Sequence, residues 1–403
     1  MKIIYMYYGW GHTGYRKGWQ RFDIITSELR KAGHEVHVIG LKRKWNNKKQ
    51  KMFGYFEQNN EAINIIEPRW SSMIDVVMDR FFIANFFEAV MFLILYLKIK
   101  PDVVIIQDEP VGFSFWFTIF SKIFKIKTFV DYQDLIVRLV SYLNKKGFLY
   151  KLGILINERI VPRNAKGLIV TTEFGKKYFS PVARQIFIIR ELVDPENYND
   201  ISDEIKNQVI SKFNINLKKY KILWVGYIGP RHLKSLVMLF KAVNDIPYKE
   251  KIQIIIVGSG DHLQYLVQLS KTLSLDVVYT DYLPPVSQSL IALYKLSHIG
   301  FMSGVDELFM HFVAGLKLSE YLASGLPVIA PSLYGIKEVI KDNGVLYNPN
   351  NINDLKQKII FMLNVDLKEM SLQSKRIARE LLSPMAFRNI LNDFISFLKC
   401  NEK

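Results

Sequence analysis

The sequence predicts an α/β protein built as two parallel-sheet lobes. Short apolar runs alternate with amphipathic segments almost from end to end, the pattern of strands joined by crossover helices. The chain has 403 residues, 49% of them hydrophobic, more than one core ordinarily holds. The alternation breaks once, at a polar stretch between Val193 and Leu217 that contains no long apolar run.

The elements follow in order. Lys2 to Tyr8 reads as a buried strand, Trp19 to Ala32 as an amphipathic helix and Glu35 to Leu41 as the next strand, with Gly33 at the helix stop. Further strands are expected at Val103 to Gln107, Lys127 to Val130 and Gly167 to Thr171. After the polar connection a second series opens at Lys221 to Val225. It continues through Gln253 to Val257, Val277 to Tyr279, His298 to Met302 and Pro327 to Ala330. The expected division is a first lobe of residues 1–195, a second of 196–382, and a closing segment, 383–403, whose apolar residues recur at helical spacing and return across the first lobe. Two lobes imply a cleft.

Composition narrows the classes. The one cysteine, Cys400, can form no internal disulfide, which suits a reducing compartment, and the cytoplasm is the expected location. The opening MKIIYMYYGWG has too short an apolar core for a secretory signal. Phe81 to Leu97 is interrupted by Asn85 and Glu88, so its uninterrupted remainder is too short to span a bilayer. The formal net charge is +16, with basic clusters at Lys42-Arg43-Lys44, Lys48-Lys49 and Lys145-Lys146. Such charge attracts an anionic partner, nucleic acid or acidic lipid. The same half carries Phe81, Phe82, Phe86, Phe87, Phe113, Phe115, Trp116 and Phe117, which favours an anionic membrane surface over nucleic acid. A solvated basic surface and ordinary core packing account for the same residues.

Gly9-Trp10-Gly11-His12-Thr13-Gly14 matches GxGxxG between a strand and a helix, where glycine lets backbone approach a phosphate or sugar. No acidic residue ends the second strand, which disfavours NAD, while Arg43 leaves NADP and a reductase open. His12 and Arg16 project near the edge where open α/β sheets bind ligands. His12 is a candidate proton acceptor, and Gly11 and Arg16 are candidate acceptor-substrate contacts; a plain tight turn is the simpler alternative.

The most specific signal is Ala314-Gly315-Leu316-Lys317-Leu318-Ser319-Glu320-Tyr321, a glycine turn opening a short helix, followed by the strand at Pro327. Lys317 and Glu320 share a helix face near its start. Lysine suits a diphosphate and glutamate suits ribose hydroxyls. A surface ion pair is the alternative.

This segment resembles the donor-site motif of GT-B glycosyltransferases, in particular the retaining group that includes bacterial polysaccharide and lipid-linked sugar transferases. Leu223-Trp224-Val225-Gly226-Tyr227 with Arg231 and Lys234 resembles the strand-glycine-basic segment of such enzymes. Ile255-Ile256-Val257-Gly258-Ser259-Gly260 resembles their next strand and turn, and Tyr279-Thr280-Asp281-Tyr282-Leu283-Pro284 the loop that meets the base. The likeness covers most of residues 220–365, the first lobe matching in architecture alone.

The resemblance implies two Rossmann-like domains facing a central cleft and sugar transfer, with retention, from a UDP- or GDP-linked donor to a glycan or lipid-linked acceptor. It implies a donor site at Gly226, Arg231, Lys234, Gly258, Tyr282, Leu283, Lys317, Leu318 and Glu320. The cations and a helix N-terminus would neutralise the leaving diphosphate without a metal or resident cofactor. On the acceptor side Asp131 and Asp134, just after a predicted strand, are candidate bases; helix capping by Asp134 is the alternative. Two departures stand out. Phe312 occupies the position eight before Glu320 where the family often has a second glutamate, and Tyr227 stands where it often has arginine. An epimerase or phosphorylase on the same architecture and a silent carbohydrate-binding protein are the competing readings.

Overall fold

The computed structural model describes residues 1–9, 20–46, 49–58, 61–65, 85–108, 111–143, 148–199 and 201–400. They form two compact units. The first contains the opening strand, Ile25–Ile189 and the chain from Ile390 onward; the second contains residues 20–24 and Arg190–Asn389.

In the first unit the strands are β1 (Lys2–Gly9), β2 (Glu35–Asn46), β3 (Lys49–Gln58), β4 (Glu61–Ile65), β5 (Val103–Gln107), β6 (Thr128–Tyr132), β7 (Gly167–Val170) and β8 (Ile186–Ile188). Among the described residues they make one sheet of order β4-β3-β2-β1-β5-β6-β7-β8. From β2 to β8 neighbours run parallel; β3 and β4 are antiparallel. The helices are α1 (Gln20–Lys31), which belongs to this unit from Ile25 on, α2 (Asn85–Ile99), α3 (Val111–Ile123), α4 (Ile136–Leu143), α5 (Phe148–Leu155), α6 (Val161–Asn164) and α7 (Glu173–Phe179), with a π-turn, Ile156–Ile160, between α5 and α6. β5 and β6 are buried at every position, as befits central parallel strands covered on both faces.

The edge hairpin is a departure from expectation. The second strand was expected to stop at Leu41, but its backbone continues through the basic run to Asn46 and returns as β3. A lysine-rich segment lacks the apolar alternation that betrays a strand, yet lysine is well suited to an edge.

The second unit repeats the crossover pattern. Its strands are β9 (Tyr220–Val225), β10 (Ile252–Val257), β11 (Val277–Thr280), β12 (Ile299–Phe301), β13 (Val328–Pro331) and β14 (Gly344–Tyr347), in the order β11-β10-β9-β12-β13-β14 and all parallel. Its helices are α8 (Asp203–Phe213), α9 (Pro230–Asn244), α10 (Leu263–Thr272), α11 (Gln288–Leu296), α12 (Leu308–His311), α13 (Leu316–Ala323), α14 (Tyr334–Lys337), α15 (Ile352–Asn364) and α16 (Lys368–Leu381). Ile222, Trp224, Leu239, Phe240, Ile254, Ile256 and Ile359 anchor the core beneath α9 and α15. Each such side chain contributes about 1.5–3 kcal/mol by leaving water.

The polar connection also departs from expectation. It contains α8, capped at its start by the Ser202 hydroxyl, which accepts from the Ile205 N–H, and ended by Asn214 in the left-handed region at φ 52°. Val209 is the residue this helix buries. One apolar position is too sparse a stripe to read as a packed helix.

The closing helix, α17 (Pro384–Cys400), carries Phe394 and Phe397 against Phe129 and Phe187 within the first unit, Phe394 lying 5.0 Å from each ring. Among the described residues no helix is long and apolar enough to cross a membrane.

Candidate functional site

The strand order of the second sheet reverses between β9 and β12, and open α/β sheets bind ligands beyond the carboxyl ends of their strands at such a switch point. The residues that follow β9 and β12 are tied together there. The Trp224 indole N–H donates to the Ser303 hydroxyl at 2.9 Å, and Ser303 lies 2.8 Å from His232 Nδ1. Ser235 on α9 donates to the Gly304 carbonyl at 2.8 Å. The loop after β12 is thus pinned to the first turns of α9.

Glycine permits this closeness. A Cβ on Gly258 (φ 131°) would fall 2.0 Å from the Gly226 carbonyl oxygen, and one on Gly226 (φ 150°) would fall 3.0 Å from Lys317 Nζ. Both backbones lie where L side chains are disfavoured. The three consecutive loops after β9, β10 and β11 interlock through Gly226 N–H to Val257 O, Ile228 N–H to Ser259 O and Gly258 N–H to Thr280 O.

Lys317, in the first turn of α13, is the central cation. Its ammonium lies 4.2 Å from the Trp224 ring centroid, a cation–π contact. Burial, then the nearby Arg231 guanidinium, push its pKa down to about 7, with Glu320 pulling the other way. Among the described residues Lys317 donates to no oxygen and pairs with no carboxylate. A lysine poised near neutrality, over a ring and beside another cation, has strong electrostatic demand for an anion.

His232 shares this environment. It is 7% exposed, and burial, then Lys317 and Arg231, hold its pKa well below the ordinary value. The Arg231 Nε–H donates to His232 Nε2 at 2.9 Å. Since arginine does not give up its proton, Nε2 must accept, and a neutral ring then carries its hydrogen on Nδ1, directed at Ser303. His232 therefore positions Arg231 without adding charge.

Glu320 is 6% exposed, and each of its oxygens accepts a phenol: Tyr198 at 3.1 Å and Tyr294 at 3.0 Å. Burial raises its pKa, while the two hydroxyls and Lys317 lower it. Lys317 and Glu320 feel one another, but their direct partners differ, so the arrangement is not the surface ion pair that their spacing allows.

The structure sorts the sequence candidates. Gly226, Gly258, Arg231, Lys317 and Glu320 come together around the switch point. Lys234 stands apart, exposed, donating to Asn350 at 2.9 Å. Tyr282 is 56% exposed and Leu283 partly so, in the loop after β11. The Leu318 side chain is 1% exposed and its N–H donates to the Gly315 carbonyl. Phe312 is fully buried, so the position eight before Glu320 serves the core. Tyr227 donates to Asp261 at 2.7 Å.

In the first unit Asp131 is fully buried at the end of β6 and its carboxylate accepts from Tyr5 at 2.5 Å and from Gln133 at 3.3 Å. Expected as a base facing an acceptor, it instead has no exposed surface with which to meet one. Asp134 is half-buried. His12, Gly11 and Arg16 lie outside the described residues. Sequence reasoning missed His232, Ser303, Tyr198 and Tyr294. His232 was discernible as the neighbour of Arg231; the other three come from distant positions and leave no local signal.

With this geometry in place, the comparisons with known proteins are specific. Residues 205–380 match the family model of glycosyl transferases group 1. An uncharacterized glycosyltransferase of Methanocaldococcus jannaschii is 26% identical over 178 residues, 43% of this chain and 43% of that protein, so the chain matches less than half of that relative's length. Among solved structures, sucrose-phosphate synthase from Thermosynechococcus elongatus superposes with a TM-score of 0.72 at 16% identity, over 99% of both chains. HepE from Anabaena, solved in complex with UDP, superposes with a TM-score of 0.68 at 13% identity, over 98% of this chain and 100% of that one. The chain thus shares the α/β fold of GT-B glycosyltransferases, and its residues 205–380 match the model of glycosyl transferases group 1.

Proposed function

We propose that this protein is a glycosyltransferase that takes a sugar from a nucleotide sugar, a UDP sugar in the simplest case, and transfers it to a hydroxyl of a glycan or lipid-linked acceptor. The observation that carries this reading is the Lys317 ammonium at the β9–β12 switch point, over the Trp224 ring and near Arg231 and, among the described residues, without an oxygen partner. Lys317 and Arg231 receive the diphosphate and stabilise its charge as it leaves, so that no metal is needed. Glu320, held by two tyrosines, accepts from the ribose, and the Tyr282-Leu283 loop meets the base. HepE, solved with UDP, shares the fold. Asp134 is the remaining described candidate for the acceptor base. Retention is the expected stereochemistry from the resemblance of the donor motif.

The test is calorimetric titration with UDP, GDP and their sugars, with turnover measured after chelation. Binding of one nucleotide class and transfer that survives chelation support the reading. No binding of any nucleotide sugar by the folded protein defeats it.

A second observation bears on the acceptor. α2 exposes Phe87 (58%), Met91 (44%), Ile94 (53%) and Leu97 (54%) at successive turns, and the end of α3 adds Ile123 (65%) and Phe124 (50%). Phe86 packs on Phe120, and Phe92 on Phe113, so the helices run antiparallel and Phe87 lies at the same end as Ile123 and Phe124. Exposed Lys122 and Lys125 flank that end. Apolar residues rimmed by lysine suit an anionic membrane surface carrying a lipid-linked acceptor. Phe113 and Phe117, counted with this patch from sequence, belong to the core. Co-sedimentation with phosphatidylglycerol vesicles, lost in Phe87→Ser/Phe124→Ser, is the expected result. Equal sedimentation of the variant removes this part.

A further inference from the structure

A second group of cations gathers at the opposite end of α13 from Lys317. A shallow, open pocket there is lined by Lys295 of α11, Ala323 at the end of α13, Lys375 and Arg379 of α16, and Pro195, Tyr198 and Asn199 of the turn that precedes α8. Cations at a helix C-terminus commonly serve its carbonyls, and Lys295 does so, donating to the Ser324 carbonyl at 3.2 Å. Arg379 stands in the last turn of α16, where it complements that helix's dipole, yet among the described residues neither it nor Lys375 donates to a carbonyl. They lie one turn apart on one face of α16, where like charges destabilise a helix, and among the described residues neither pairs with a carboxylate. Lys375 is held in place by its stem, which covers Gly325 so closely that a Cβ there would lie 2.6 Å from Lys375 Cε. Tyr198 and Asn199 complete the lining, the Asn199 amide donating to Glu196 at 2.8 Å. The wall is connected to the candidate donor site, because the Tyr198 hydroxyl donates to Glu320.

We propose that this pocket binds a phosphate-type oxyanion, with Lys375 and Arg379 as its principal charges, and that occupancy steadies Tyr198 and through it Glu320, strengthening nucleotide binding. The binding step is independent of the donor reading; the coupling rests on it. The oxyanion can be free phosphate or the phosphate of a lipid headgroup, and the two are told apart by the probe.

The test begins with protein saturated with UDP, so that the Lys317 site is occupied, and titrates inorganic phosphate by calorimetry. Wild type binds phosphate at millimolar concentration, and Lys375→Ala/Arg379→Ala weakens this by about tenfold or more while UDP affinity in phosphate-free buffer stays as in wild type. Phosphate then raises UDP affinity severalfold in wild type and not in the double variant. In Tyr198→Phe, phosphate still binds but its effect on UDP is lost. If phosphatidylglycerol vesicles distinguish wild type from the double variant and free phosphate does not, the ligand is a headgroup. If neither probe distinguishes them, there is no such site. Should UDP fail to bind at all, the donor reading fails separately, and the same titrations on Lys317→Ala protein still decide the pocket.

Discussion

A lysine whose pKa burial lowers lies near each end of β9, and the two differ in what surrounds the charge. At the start of the strand Lys221, 2% exposed, donates to the carbonyls of Lys219 at 2.7 Å and Asn216 at 3.3 Å, while its N–H donates to His298. Burial lowers its pKa. Beyond the end of the strand Lys317 is also shifted down by burial, but it meets a tryptophan ring and a neighbouring guanidinium in place of oxygens. Burial alone therefore does not mark a lysine as functional. The difference lies in satisfaction: the chain supplies oxygens to Lys221 and leaves Lys317 for an anion from outside.

The comparison breaks most visibly by removing each ammonium. Charge-assisted hydrogen bonds contribute about 1.5–3 kcal/mol, so Lys317→Ala should weaken UDP binding roughly 10- to 100-fold. Thermal stability should hold or rise, because an unfavourably placed charge is gone. Lys221→Met should do the reverse, lowering stability by about 1–3 kcal/mol through the carbonyls it strands while leaving UDP affinity alone. Calorimetry and thermal melts on both variants check this. Equal losses of UDP affinity would mean that the distinction between the two lysines is false.

The pH dependence sharpens it. In the free protein Lys317 has a pKa of about 7, below its unfolded value, so the unfolded chain binds more protons between those limits and the group favours folding more as pH rises through 7. Nucleotide binding runs the other way. A bound diphosphate raises the Lys317 pKa, so binding takes up a proton above pH 7 and affinity falls as pH rises, by up to about tenfold per unit. UDP titrations from pH 6.5 to 9, roughly the range over which this lysine is expected to respond, should show that slope in wild type and lose it in Lys317→Ala. A slope retained in the variant would assign it to another group.

How much of this the sequence carried follows the same division between local and distant determinants. β5 was delimited residue for residue, and five of the six strands of the second sheet to within a residue, because buried parallel strands such as β10 are short unbroken apolar runs. Gly226, Lys317 and Glu320 were readable because glycine turns and helix starts keep their residues adjacent in sequence. The hairpin of β2 and β3 was missed, since its lysine-rich composition carries no apolar period, and β14 was missed as well. That Leu318 is buried was not readable, because a motif states which residues adjoin and not which face of α13 each occupies. Tyr198 lies 122 positions from Glu320, and Ser303 lies 79 from Trp224; only folding brings such pairs together.

A smaller effect is expected from a change that touches Lys317 without removing it. A Cβ on Gly226 would sit 3.0 Å from Lys317 Nζ and 3.3 Å from the Trp224 ring. The ring is buried in the core and cannot yield, whereas the lysine is the far end of a flexible chain, so Gly226→Ala displaces the ammonium from the ring. The backbone at φ 150° adds strain of about 1–3 kcal/mol for a non-glycine residue. Lys317 keeps its charge, and Arg231 is untouched. UDP affinity should therefore fall severalfold, less than in Lys317→Ala, with the pH slope kept and its midpoint moved upward as the ammonium regains water. A pH slope lost altogether would show that the glycine holds more of the site than its one missing carbon accounts for.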